Sequence, residues 1–153
     1  NIRISICGVP KTIDNDIPII DKSFGFDTSC EIAAQMIQSA FIEATCVING
    51  IGLIKLMGRH SGYIAMQASL SHTSVDFCLI PENPWELNGN NGLYAQVANK
   101  IKTQGHAVIV VAEGAEDGLI NSSERFTKAE NRDGSGNLKL DDIGDALRVM
   151  IVN

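Results

Sequence analysis

Four short apolar runs separated by stretches of helical periodicity constrain this chain more than any other feature. Residues 2–7, 51–56, 75–80 and 107–112 are rich in Ile, Val and Leu, and none carries more than one charged side chain. Between them, apolar residues recur at three- and four-residue steps: Ala33, Met36, Ile37, Ala40, Phe41 and Ala44, then Leu93, Val97 and Ile101. Continuous Ile/Val/Leu runs suit strands covered on both faces, and helical crossovers between strands imply parallel pairing. The chain therefore reads as an α/β fold, a mainly parallel sheet flanked by helices. Gly25-Phe26-Asp27-Thr28 opens the first helix, with Asp27 or Thr28 as N-cap and Glu31 in the first turn. Further helices are expected from about residue 62 to 70 and over residues 141–152.

Two stretches read as irregular. Residues 83–92 contain Pro84, Gly89, Gly92 and several asparagines, so they form a loop, which Trp85 anchors on the core. Residues 116–140 are polar, with a turn at Asp133-Gly134-Ser135-Gly136-Asn137. A calcium-loop reading of that turn fails, because the downstream glutamate and flanking helices are missing. At 153 residues the chain can bury a real core as one domain. A formal net charge of −6 argues against non-specific binding to nucleic acid or anionic membranes. No apolar run approaches the ~18 residues of a membrane span. Cys7, Cys30, Cys46 and Cys78 show no metal-ligand spacing and read as buried free thiols in a reducing compartment.

Chemistry concentrates where apolar runs end. The run 2–7 leads into Gly8-Val9-Pro10-Lys11-Thr12-Ile13-Asp14-Asn15-Asp16-Ile17. Ligands of open α/β sheets bind outside the carboxyl ends of the strands. A carboxylate there can take a proton from a substrate hydroxyl, and a lysine can hold phosphate as a point charge. An isolated Asp-Asn-Asp string is more often a turn bonding its own backbone. The run 51–56 leads in the same way into Met57-Gly58-Arg59-His60-Ser61-Gly62. The glycine admits close backbone approach, and the arginine offers a planar fork for phosphate or sugar oxygens. Met57 lies 41 residues beyond Asp16.

Both strings, at this separation, resemble the phosphofructokinase family, and the likeness continues through Ile80-Pro81-Glu82 and the run ending at Glu113. The resemblance implies phosphoryl transfer from magnesium-ATP to the 1-hydroxyl of fructose 6-phosphate. Asp14 matches the catalytic base, and Thr12 a hydroxyl at the transferred group and sugar, with Ile13 in the same substrate-binding stretch. Lys11 and Asp16 match positions near the donor phosphates, Asp16 reaching magnesium through water rather than directly. Met57, Gly58 and Arg59 match the fructose 6-phosphate contacts. Glu113 matches a glutamate on the sugar hydroxyls, although a strand-end glutamate also commonly caps a turn. No ligand role is carried to Glu82.

The donor is read as ATP, because Ser23-Phe24-Gly25-Phe26-Asp27-Thr28, the segment from Lys55 to Gly62, and Val111-Ala112-Glu113-Gly114 look most like the plant-type ATP enzymes. Lys11, where short bacterial enzymes have glycine, resembles both the pyrophosphate-dependent enzymes and the plant- and protist-type ATP enzymes, and pyrophosphate is the alternative donor. An arginine that some relatives carry about seven residues before Met-Gly-Arg is Gly50 here, and His60 reads as a structural variant. The family's glycine-rich donor loop and a later sugar-phosphate segment are expected outside these residues, making the chain the central portion of a larger enzyme. A truncated, inactive interaction module is the non-enzymatic alternative. The resemblance also implies an allosteric homo-oligomer, commonly a tetramer, in the cytoplasm, with an organelle left open.

Overall fold

A computed structural model describes residues 2–115, 134, 140 and 142–152. The expected polar stretch 116–140 lies almost wholly outside the described residues, as do Asp141 and most of the Asp133–Asn137 turn. In chain order the elements are α1 (Phe26–Cys46), β1 (Gly50–Leu56), α2 (Tyr63–Leu70), β2 (Phe77–Leu79), α3 (Leu93–Gln104), β3 (His106–Ala112) and α4 (Ile143–Val152). Among the described residues the strands form one sheet in the order β1-β3-β2, with both pairings parallel. The α/β expectation is met.

β3 occupies the centre because its sequence tolerates burial on both faces. Ala107, Val108, Ile109, Val110, Val111 and Ala112 are fully buried. α1 and α2 pack on each other and on the sheet, α1 presenting Phe26, Cys30, Ala33, Ile37 and Ala44. α3 packs on β3 and α4 on β1, and the two helices meet where the Tyr94 hydroxyl donates to the Met150 carbonyl at 2.8 Å. Register sets the site: Leu56 of β1 lies level with Ala112 of β3, so both strands end at one height.

Four expectations need correction. Residues 2–7 form no strand, and Ile2, Ile4 and Ile6 are 90%, 76% and 92% exposed. Alternating apolarity creates a strand only where an edge pairs with it, and neither β1 nor β2 does so here. The first helix is capped by Gly25, not Asp27 or Thr28. Gly25 takes φ 88°, and the helix begins two or three residues earlier than expected, leaving Asp27 in the first turn, paired with Lys22 at 3.0 Å. β2 is shorter than 75–80 because the Asp76 carboxylate, not a main-chain carbonyl, accepts the Val108 N–H at 2.9 Å. All four cysteines are free, but only Cys30 is buried; Cys78 is half-buried, and Cys7 and Cys46 are exposed. Cys7 follows the unpaired segment and Cys46 ends α1, so neither is covered.

Candidate active site

The level ends of β1 and β3 are joined through their continuations. The Glu113 N–H donates to the Leu56 carbonyl, and the Gly114 N–H to the Gly58 carbonyl, both at 2.9 Å. Glycines are required here. Gly58 sits at φ 132°, and a Cβ on Gly114 would lie 1.8 Å from the Arg59 carbonyl oxygen. This contact carries Arg59 and Glu113 side by side, with Arg59 Nη2 3.6 Å from Glu113 Oε1. Both side chains remain partly exposed, so they form a loose pair that a ligand can enter.

The loop 11–16 folds against these strand ends. The Thr12 hydroxyl accepts the Asp14 N–H at 3.2 Å, closing a local turn. Asn15 adopts φ 57°, a left-handed conformation that Asn tolerates, and its Oδ1 accepts the Ser23 N–H at 2.7 Å. That bond ties the loop to the approach to α1. From the other side the Ser61 hydroxyl donates to the Asp14 carbonyl at 3.2 Å.

Asp14 is the electrostatic centre. Its Oδ1 is buried with no hydrogen-bond partner. Burial raises its pKa above the ordinary carboxylate value, and the negative charges of Asp16 and Glu113 push the same way. Arg59 and His60 oppose them without prevailing. A carboxylate that is short of hydrogen bonds and has a raised pKa is a competent proton acceptor. An open cleft of about 600 Å³ is bordered by Asn15, Asp16, Ile17, His60, Ser61 and Glu82; of the site residues expected from sequence only Asp16 lines it, and Asp14, Arg59 and Glu113 do not. A second open cleft, about 530 Å³, lies at β2 and Trp85 and includes none of the sequence-derived site residues.

The fold thus brings Asp14, Asp16, Arg59 and Glu113 into mutual electrostatic reach. Thr12 and Ile13 are half-buried in the loop, whereas Lys11, Asp16 and Met57 are exposed around it. Asn15, Ser61 and Glu82 hold the loop and the adjoining turn by hydrogen bonds, and His60 lies close enough to Asp14 to act on its charge, none of which follows from the motifs alone. Asn15 had a local signal, its turn chemistry; the others act over distances in sequence that only the fold reveals. Trp85 does anchor its loop, packing on the core and donating from Nε1 to the Ala115 carbonyl at 3.0 Å.

The family model for phosphofructokinase matches residues 1–150. The chain is 52% identical over 143 residues to ATP-dependent 6-phosphofructokinase 1 of Arabidopsis thaliana, covering 94% of this chain and 30% of that protein. Against ATP-dependent 6-phosphofructokinase of Amycolatopsis methanolica it is 46% identical over 151 residues, covering 98% of this chain and 33% of the relative. Among solved structures, a pyrophosphate-dependent phosphofructokinase from Nitrosospira multiformis superposes with TM-score 0.56 at 32% identity, over 69% of this chain and 28% of that one. The chain spans about a third or less of the length of the relatives it matches.

Proposed function

The chain belongs to the phosphofructokinase family, and from that premise we propose that the whole protein transfers a phosphoryl group from magnesium-ATP to the 1-hydroxyl of fructose 6-phosphate. Residues 1–153 are read as the central portion of that enzyme, a reading supported by the fraction of each relative they span. The observation that carries it is the half-buried Asp14 carboxylate, whose Oδ1 is enclosed without a hydrogen-bond partner, within electrostatic reach of the Arg59–Glu113 pair.

Asp14 accepts the proton of the attacking hydroxyl. The Thr12 hydroxyl and Ile13 line the same stretch, Met57, Gly58 and Arg59 cradle the sugar phosphate, and Glu113 bonds sugar hydroxyls. Lys11 serves the donor phosphates. Magnesium supplies charge neutralisation on the transferred phosphate when bound. From this chain Asp16, an exposed hard-oxygen carboxylate, would hold it through water, which suits an ion that keeps several waters and takes few carboxylates. In-line transfer depends on such positioning and charge stabilisation more than on covalent chemistry.

Pyrophosphate is the second donor reading, favoured by the structural match to a pyrophosphate-dependent enzyme. ATP is preferred because the more identical relatives are named ATP-dependent. A homo-oligomer, commonly a tetramer, in a reducing cytoplasmic compartment belongs to the same proposal. The test is Asp14→Asn in the full-length enzyme, assayed with each donor. Turnover is expected to fall about 10²–10⁴-fold, the scale of general-base catalysis. Half-saturation by fructose 6-phosphate should move much less. Near-normal turnover by folded protein would remove Asp14 from its role.

A further inference from the structure

The turn between β1 and α2 is fixed to the Asp14 loop through a side chain outside the sugar-phosphate cradle. Ser61 is 4% exposed, and its hydroxyl donates to the Asp14 main-chain carbonyl, 47 residues away in sequence. The next N–H, that of Gly62, donates to both carboxylate oxygens of Glu82, at 2.8 and 3.0 Å. Glu82 follows β2 through Ile80 and Pro81. Its charge sits at the start of α2, where N–H groups lack intrahelical partners and the helix dipole favours an anion.

The turn has little room to shift. A Cβ on Gly62 would lie 2.4 Å from Ile80 side-chain carbons and 2.9 Å from Glu82 Oε2. On the other flank, a Cβ on Gly58 would lie 2.2 Å from the Ser61 carbonyl oxygen. Ser61 is therefore held from both sides while its hydroxyl reaches the Asp14 backbone. Meanwhile the Asp14 carboxylate has a bare Oδ1, so its location depends on main-chain restraints such as this one.

We infer that Ser61 and Glu82 form a brace that sets the position of Asp14. Ser61 grips the Asp14 carbonyl, and Glu82 fixes Ser61 through the Gly62 N–H. Both are positioning residues; the inference rests on the reading of Asp14 as the base.

The experiment is a double-mutant cycle in the full-length enzyme, with steady-state kinetics in fructose 6-phosphate and thermal unfolding of each variant. Ser61→Ala should lower kcat about 3- to 10-fold, the scale of one hydrogen bond, with KM shifting less than about twofold. Glu82→Ala should lower kcat in the same way. Glu82→Gln, whose amide oxygen can still accept the Gly62 N–H, should recover part of that loss. If Glu82→Ala fails to fold, Ser61→Ala and Glu82→Gln carry the comparison. In an Asp14→Asn background, Ser61→Ala should cost nothing further, because the positioned group is gone. A full additional loss there, or a rise in KM with kcat unchanged, overturns the brace while leaving the base standing. Near-normal turnover of Asp14→Asn alone overturns the base, and the brace with it.

Discussion

Arg59 carries the sharpest division of labour at the scale of single residues. Its guanidinium lies 3.6 Å from Glu113 and lowers the pKa of Asp14 against the stronger effect of burial. A planar fork can bridge a carboxylate and a phosphate together, which a lysine ammonium cannot reproduce. Arg59→Lys in the full-length enzyme is therefore expected to raise half-saturation by fructose 6-phosphate about tenfold or more, the cost of one charge-assisted bond, with donor affinity little altered. Kinetics with each substrate varied in turn separate the two effects. An unchanged acceptor response would reduce Arg59 to a partner for Glu113.

Elements are held by contacts of the same kind, and Asp76 shows how one carboxylate can finish a sheet. It accepts Val108 N–H at 2.9 Å, Gln104 Nε2 at 3.0 Å and Lys100 Nζ at 2.8 Å, tying β2, α3 and β3 together with its side chain only 8% exposed. Burial works against the charge, yet these three donors prevail and hold its pKa below 3.8. A carboxylate depressed in the folded state stabilises the fold above its unfolded pKa, and that stability is lost as pH falls through the folded value. Asp76→Ala leaves the Val108 N–H without its partner and should cost about 1–3 kcal/mol at pH 7. Urea unfolding should show the gap to wild type narrowing at about pH 3, below the ordinary aspartate pKa. A gap independent of pH would mean that the loss is one of packing alone.

The same contacts explain what could be read from sequence at this scale. The Ala33-Ile37-Ala44 face of α1 and the apolar run of β3 declare themselves through local spacing, since their burial depends on period and composition. Arg59 follows the end of β1, as its run of apolar residues implies, whereas the Asp14 string follows no strand and was legible through its residue types and its resemblance to the family. Residues 2–7 were not, since alternation at Ile2, Ile4 and Ile6 signals a strand only when another strand accepts it. The start of β2 was not legible either, since the Asp76 carboxylate just before it accepts the Val108 N–H, which no periodicity reports. Ser61 and Glu82 depend on the parallel register that brings separate segments to one edge, so they became visible only with the fold.

For the molecule as a whole, exposed apolar side chains and the partial span of the relatives bear on one outcome for residues 1–153 on their own. Ile2, Ile4, Ile6, Ile19 and Phe24 are exposed, and α1 leaves Ile32, Met36 and Ile42 about half exposed. Contiguous apolar surface and unpaired strand-forming segments favour association in water. The chain spans about a third or less of its relatives, and the roles proposed for its described residues are those of a base and part of an acceptor cradle. Phosphoryl transfer needs donor, metal and acceptor held in line together. The isolated chain is therefore expected to self-associate and to show no turnover with ATP or pyrophosphate. Light scattering on the purified chain, followed by a coupled assay with each donor, reads both halves. Robust turnover by a monodisperse monomer would place the donor site within these 153 residues and undo the reading of the chain as an enzyme's central portion.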